Sequence, residues 1–414
     1  MRISTIQAFN NGVQGLQKNY ANAIRTQEQI STGNRILTPA DDPVASVRLL
    51  QLEQQQNVLG QYKENLTAAK NGLAQEEVTL NSVNTVLQRV RELAVQAGNG
   101  ALSQADRESI AAELGEREDE LLGLMNTRNA RGEYLFAGFQ GKTQPFVRQA
   151  DGTYKYEGDE GQRKLQVASS LTVPISDNGK KTFENVINAG RVQAAVTAAP
   201  GSTLQVSAPL VQDEVAFSGA NPFPDDGVAV VFDTANQNSY VVYALPRTSP
   251  ETPLPDGGGT LDADPDKADS LVFRGVTLKF SGVPVGGETV QLTVDATQQK
   301  RGILDTIAQL KTSLQGPASG FQVGDAVAVA ITNLDHGMTT VDSVRGEIGA
   351  RLNVVETTQT DNDDVGLVNK SVQAELRELD YAEALSRLAF QTVILEAAQQ
   401  SYVKVSGLNL FNKL

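Results

Sequence analysis

The chain has no cysteine and no tryptophan. Without cysteine there can be no disulfide, no thiolate metal site and no cysteine nucleophile. A single histidine, His336, rules out a histidine-rich zinc centre, and no H-E-x-x-H pair occurs. Aromatic residues make up 5% of 414 positions while glycine numbers 36, which suits long helices with polar loops better than one large enzyme core. Long apolar runs are missing too. The longest, Ala326–Ile331, is far too short to cross a bilayer. Met1–Ile6 holds no continuous apolar stretch, so no cleaved signal peptide is expected. Positive charge is in deficit, 35 basic against 49 acidic residues for a net −14, and such a surface repels phosphates and anionic lipids. Neither nucleic acid nor membrane is an expected partner. Proline is absent between Pro43 and Pro145, so nothing of that kind interrupts a helix there.

What fills that proline-free stretch is a leucine repeat. Leu52, Leu59, Leu66, Leu73, Leu80 and Leu87 recur every seven residues, followed three positions later by Gln55, Tyr62, Ala69, Glu76, Val83 and Val90. A strict seven-residue apolar repeat marks a helix that keeps one seam against a partner. At 1.5 Å per residue this seam spans about 53 Å, more than a compact domain needs. Gln55 and Glu76 interrupt it, which predicts partial shielding. Asp42 followed by Pro43 reads as an N-cap with proline in the first turn, and Gly98-Asn99-Gly100 as the end near Ala97.

Before it, Thr5–Thr32 reads as a helix whose Ile6, Phe9, Val13, Leu16, Tyr20, Ala23, Gln27 and Ile30 alternate by three and four, a narrow stripe. Gly33 is suited to end it in the left-handed region. After it, Ser103 with Asp106 forms a capping box for a third helix, which fades near Asn129–Gly132 and is expected to fold back antiparallel on the leucine helix. At the other end, Ile303, Ile307, Leu310 and Leu314 predict a helix closed by Gly316-Pro317. A long helix is expected from about Gly324 to Thr358, a break or turn at Thr360–Asp364, and a last helix from Gly366 to Val405. The last seam is Tyr381, Leu385, Leu388, Thr392, Leu395, Gln399 and Tyr402.

Between the helical ends, residues 140–298 carry most of the proline and the densest glycine. Thr153–Tyr156, Arg163–Val167, Val228–Phe232, Ser239–Tyr243, Val276–Phe280 and Thr289–Val294 read as strands. Phe183–Ala189 is expected to form a short helix and Thr248–Asp269 a loop or linker. The fold class is therefore mostly α with a central all-β insertion. Each terminal helix carries an apolar stripe that it cannot bury alone, so these helices either dock on other subunits or stay disordered until they do.

No catalytic constellation is evident. His336, in Leu334–Met338, lacks a recognisable nucleophile and reads as a helix-surface residue. Asp262-x-Asp264-x-Asp266 has Lys267 where a calcium loop needs glycine, and Asp361-x-Asp363 has Val365 at the next ligand position. Both fail the calcium-loop pattern and read as solvated acids. Gly257-Gly258-Gly259 lacks the context of a phosphate loop. No cofactor, metal or enzymatic activity is expected.

Met1–Thr5, Gln29–Ile36 and Pro39–Ala45 together resemble the flagellin superfamily. Gly132-Glu133-Tyr134-Leu135-Phe136-Ala137-Gly138-Phe139 is similar to a motif of its hook–filament junction branch, and the ending Gly407–Phe411 agrees with that branch. Val344–Asn353 and Leu379–Glu383 resemble the superfamily's C-terminal half. The resemblance covers about the first 140 and last 90 residues. It implies a terminal coiled-coil domain of residues 1–33 with 380–414, a helical rod of 34–139 with 300–379, and a variable, outward-facing β domain of 140–299. It further implies a non-enzymatic extracellular flagellar subunit. Expected partners are further copies of itself, hook-associated protein 1, flagellin and a cytoplasmic chaperone of type III export. Ile6, Phe9, Val13, Leu16, Tyr20, Ile30, Tyr381, Leu385, Leu388, Leu395 and Tyr402 would form the assembly seam. Leu87–Gln96 resembles the flagellin segment read by the innate immune receptor of animals, and Arg89, Leu93 and Glu113 would carry that patch. The alternatives are flagellin itself, distinguished by copy number, and an adhesin carried on the β domain.

Overall fold

The computed structural model describes residues 5–247, 252–262, 269–316 and 320–407, with side chains left aside at 5, 6, 8, 320 and 405–407. The start Met1–Ser4, most of the Asp262–Asp266 cluster, the Ile6 side chain and the ending beyond Gly407 lie outside the described residues. Helices α1 (Thr5–Thr32), α2 (Pro43–Ala97) and α3 (Gln104–Met125) open the chain, and α5 (Ile303–Gln315), α6 (Gly320–Arg377) and α7 (Tyr381–Gly407) close it. The caps explain these bounds. Gly33 takes φ +70 after α1. The Asp42 carboxylate accepts the Ala45 N–H at 3.0 Å to start α2. Ser103 and Asp106 form the reciprocal capping box of α3, satisfying two amides that the first turn would otherwise leave bare.

The chain divides into two compact units. One holds residues 1–66, 167–170 and 356–414; the other holds 67–166 and 171–355. Within the second, Leu73, Leu80, Leu87, Val83, Val90 and Leu93 of α2 are fully buried. Gln75 bonds the Arg128 carbonyl at 3.2 Å and Arg89 meets Glu113 at 2.8 Å, a register that runs α3 antiparallel to α2. Helix α5 packs closely on α3. Ile303, Ile307, Leu310 and Leu314 are buried there, as are Ile110, Leu114 and Leu121.

Glu76 departs from expectation. It is buried rather than a gap in the shielding. Its carboxylate accepts the Asp177 N–H at 3.0 Å, and Asp177 in turn holds Arg351 in two bonds of 2.7 and 3.1 Å. Burial, reinforced by the Asp177 charge, pushes the Glu76 carboxyl well above the usual range.

The β region contains more strands than sequence periodicity shows. Two small hairpins come first: β1 (Phe146–Arg148) with β2 (Tyr154–Tyr156), and β3 (Lys164–Gln166) with β4 (Thr172–Pro174). The remaining strands are β5 (Val192–Thr197), β6 (Gln205–Val206), β7 (Leu210–Val211), β8 (Val228–Phe232), β9 (Ser239–Ala244), β10 (Pro253–Thr260), β11 (Asp269–Phe273), β12 (Val276–Ser281) and β13 (Thr289–Val294), with a short α4 (Glu214–Ser218) after β7. One sheet runs β10-β9-β8-β13-β5, the other β11-β12-β6 with β7 also on β12. All the pairings are antiparallel; Val230 faces Val242 on one side and Val290 on the other. Val228, Val230, Phe232, Phe273, Leu278, Phe280, Val290 and Leu292 form their shared core.

Three expectations are corrected. Residues 253–260 are not a loop but the edge strand β10, with a register shift between Pro253 and Gly258. An edge tolerates proline. The glycines are needed because a Cβ at Gly257 would lie 2.6 Å from Val242 and one at Gly259 2.3 Å from the Tyr240 hydroxyl. Residues 183–189 are not a helix. A single π turn ends at Glu184, and the following backbone pairs with the segment before α5 instead: the Asn188 N–H donates to the Gln299 carbonyl at 3.1 Å, the Arg301 N–H to the Val186 carbonyl at 2.9 Å, and the Ala189 N–H to the Asn333 side chain at 2.7 Å. Finally, α6 does not break at Thr360–Asp364. It continues because Asp363 pairs with Lys63 at 2.9 Å and Asn362 reaches the Val167 carbonyl at 3.0 Å. The break lies at Glu378–Asp380.

Candidate assembly interface

The site expected of this sequence is a surface rather than a pocket, and it belongs to the first compact unit. There α1 and α7 lie against each other. The pair is anchored where each helix meets its neighbour in the chain. The Arg35 N–H donates to the Arg377 carbonyl at 2.8 Å and the Leu379 N–H to the Gly33 carbonyl at 3.0 Å. Arg377 holds the Asn34 side chain at 2.9 Å, and Arg35 the Leu376 carbonyl at 2.9 Å. The Asp380 carboxylate then caps α7, accepting the N–H groups of Ala382 and Glu383 at 2.9 and 3.1 Å. The two bends are thus stitched side by side, although more than 340 residues separate them in sequence.

Further along the pair, the Phe9 and Tyr402 rings stand 5.4 Å apart. A Cβ on Gly12 would touch the Tyr402 ring at 3.5 Å, and one on Gly33 would meet the Tyr381 hydroxyl at 2.9 Å. Val13, Leu16, Ile30, Leu388, Leu395 and Tyr402 are half-buried, whereas Tyr20, Tyr381, Leu385 and Phe9 are exposed. The inner stripe of α1 passes through Gly12, Leu16, Asn19, Ala23 and Thr26, and that of α7 through Ala384, Leu388, Gln391, Leu395, Ala398 and Tyr402. Small and polar residues occupy many of these inner positions, which leaves bulky apolar ones outside. Ile24, Phe390, Val393, Ile394 and Val403 join the exposed set, with Phe390 71% exposed. Sequence spacing alone could not reveal this, because a stripe shifted by one residue keeps the same three-four rhythm. An apolar surface this large on two paired helices is of the size that interaction faces carry.

The remaining candidates fall elsewhere. Leu93 is 1% exposed and therefore inside the fold. Arg89 bridges Glu92 and Glu113 at 2.9 and 2.8 Å, so an accessible receptor patch there would consist of already paired charges. His336 sits on α6 with Nδ1 3.0 Å from the Ile187 carbonyl oxygen, a structural hydrogen bond. Asp361 and Asp363 lie on a helix, not a loop. Among the described residues no cluster of acidic or histidine side chains could hold a metal ion, and no helix is long and apolar enough to cross a membrane.

In the Tyr134–Phe139 motif, Tyr134, Leu135, Phe136 and Ala137 are buried, and Phe136 stacks edge-on against Phe183 at 5.0 Å. Phe139 instead points outward, 67% exposed.

Comparison with known proteins agrees with this architecture. Residues 3–141 match the bacterial flagellin N-terminal helical region. The chain is 26% identical to flagellar hook-associated protein 3 of Salmonella typhimurium over 99% of both chains. A crystal structure of flagellar hook-associated protein 3 from Legionella pneumophila superposes with a TM-score of 0.63 at 26% identity, covering 79% of this chain and 98% of that one. A structure described as the flagellar junction protein from the same organism gives a TM-score of 0.60 at 27% identity, covering 80% and 99%.

Proposed function

We propose that the chain is a member of the flagellin superfamily, on its hook-associated protein 3 branch, and that it is the structural subunit joining the hook-associated proteins to the flagellin filament. The observation that carries this reading is the apolar face left bare on the α1–α7 pair. Two helices of 28 and 27 residues bury little against each other and display Tyr20, Leu385, Phe390, Val393 and Ile394. Such a face is completed by further copies stacked head-to-tail through non-self-complementary surfaces, the contact type that builds a tube.

In this reading residues 1–33 with 380–414 line the tube, 34–139 with 300–379 form the next shell, and 140–299 face outward. One end of the ring binds hook-associated protein 1 and the other templates flagellin. The role is mechanical, with no catalytic step. Export runs through the flagellar type III apparatus, with a cytoplasmic chaperone covering the last helix beforehand. A clean deletion examined by electron microscopy tests the proposal: bare hooks with flagellin spilling into the medium are expected, and normal filaments would overturn it.

A further inference from the structure

Head-to-tail stacking requires a knob on one surface and a socket on another. One such pair, which rests on that stacking, is Phe139 and a cleft between α2 and α6.

The knob is Phe139. Its neighbours on the N-terminal side are buried, yet its own ring is held in the open. The clamp is rigid. Gly138 takes φ +70, where a Cβ would lie 2.3 Å from the Asp159 carboxylate. That carboxylate accepts the N–H groups of Phe139 and Gly161 at 2.9 and 2.7 Å. The ring lies over Gly161, where a Cβ would come within 2.1 Å of it. A solvated loop has no need to hold a phenyl ring so firmly away from the core; immobilised, exposed aromatics are the usual anchors of protein interfaces.

The socket lies in the first compact unit, between α2 and α6. A cleft of about 230 Å³ opens there, with Leu59, Gly60, Leu66, Gly366 and Leu367 on its wall. Beside them stand the polar Gln56, Gln359 and Asn362 and the charged Lys63, Asp363 and Lys370. It exists because both helices place a glycine on it. A Cβ on Gly60 would meet nothing within 4 Å, and one on Gly366 only the Gln56 amide at 3.6 Å. A cavity of roughly 150 Å³ is large enough for a benzene ring, so by size a phenyl group fits against the Leu59, Leu66 and Leu367 side of the cleft. Two further features call for an occupant. Leu367 is 70% exposed at the cleft. Gln56 Oε1 is buried without a hydrogen-bond partner, which an N–H of an incoming loop would supply. Charge agrees as well: on the cleft wall Asp363 is paired with Lys63 at 2.9 Å and Lys370 adds a second cation, so the wall is net positive, and the Asp159 carboxylate sits beside Phe139.

We propose that Phe139 of one copy seats in the Gly60–Gly366 cleft of the next copy, with Asp159 drawn toward Lys370 of the copy that receives it.

The test uses the full-length chain carrying benzoylphenylalanine at position 139, driven to self-associate with ammonium sulfate and irradiated. Cross-links are expected in peptides within residues 52–66 or 359–370 of a second copy. Phe139→Ala removes the knob and Gly60→Leu fills the socket. Each should raise the concentration needed for sedimentable assembly about tenfold while leaving the circular dichroism of the dilute chain unchanged. Because both positions are exposed, neither change should disturb folding. Cross-links elsewhere in a sedimenting assembly, or two variants that assemble like the parent, would overturn this pairing and leave head-to-tail stacking standing. A parent chain that never self-associates would overturn both.

Discussion

The leucine helix and the terminal helices carry the same seven-residue grammar and come to opposite ends. In α2, Leu66, Leu73, Leu80 and Leu87 are completely buried. In α1 and α7, the described side chains reach full burial only at Ala23, Thr26 and Ala384, while Tyr20, Leu385 and Phe390 stand in solvent. The difference lies in what surrounds each seam. Around α2, helix α3 and the loop carrying Asp177 come from the same chain. Around the α1–α7 pair the described residues leave the outer apolar face uncovered, and under the proposed function its neighbours are further copies of the chain. A heptad stripe thus declares that a partner exists without saying whether that partner is covalently attached.

The comparison is most easily broken by truncating each seam in turn. Leu80→Ala should destabilise the dilute chain by about 3 kcal/mol in denaturant unfolding, the cost of a cavity in a closed core. Phe390→Ala, removing a larger side chain, should cost the dilute chain no more than about 0.5 kcal/mol, yet abolish or sharply weaken assembly. Equal losses from the two would erase the distinction drawn here.

A smaller effect sharpens the picture of the closed unit. Burial, together with the Asp305 charge, raises the Glu184 carboxyl to about 7, and burial raises Asp305 as well. A carboxyl raised in the folded state favours folding fully below its ordinary value near 4.5, and that contribution is lost as the pH climbs through about 7. Allowing for its partial exposure, the chain should lose on the order of 1–2 kcal/mol over that range. Glu184→Gln should flatten this slope; a variant with the parent's slope would place the titrating group elsewhere. The smallest expected effect is at Asp106, whose carboxylate closes the capping box of α3. Asp106→Ala should lower the midpoint of thermal unfolding by less than any of the changes above.

Much of this organisation was readable from local signals. Asp42-Pro43, Ser103 with Asp106, and Gly33 mark helix ends because the groups that satisfy a helix end lie within a few residues of it. The exposed face was legible as a stripe but not in its rotation, since Gly12, Ala23, Ala384 and Ala398 set which side the partner approaches. Strand β10 was hidden because its Pro253, Pro255 and Gly257–Gly259 look like a loop unless Tyr240 and Val242 are known to lie beneath them. The fate of Glu76 was unreadable, since its partner Asp177 lies 101 residues away. The polar run Thr360–Asp364 misled for the same reason: its helix is held by Lys63, 300 residues distant from Asp363. Local chemistry fixes element ends, and long-range pairing decides which polar residues stay solvated.

The most direct test of the central claim is amide hydrogen exchange, followed peptide by peptide in the dilute chain and in its assembly. The account predicts fast exchange in residues 5–32 and 381–407 of the dilute chain, slow exchange there after assembly, and slow exchange in residues 73–94 in both. Strong protection of the terminal helices in the dilute chain would contradict it.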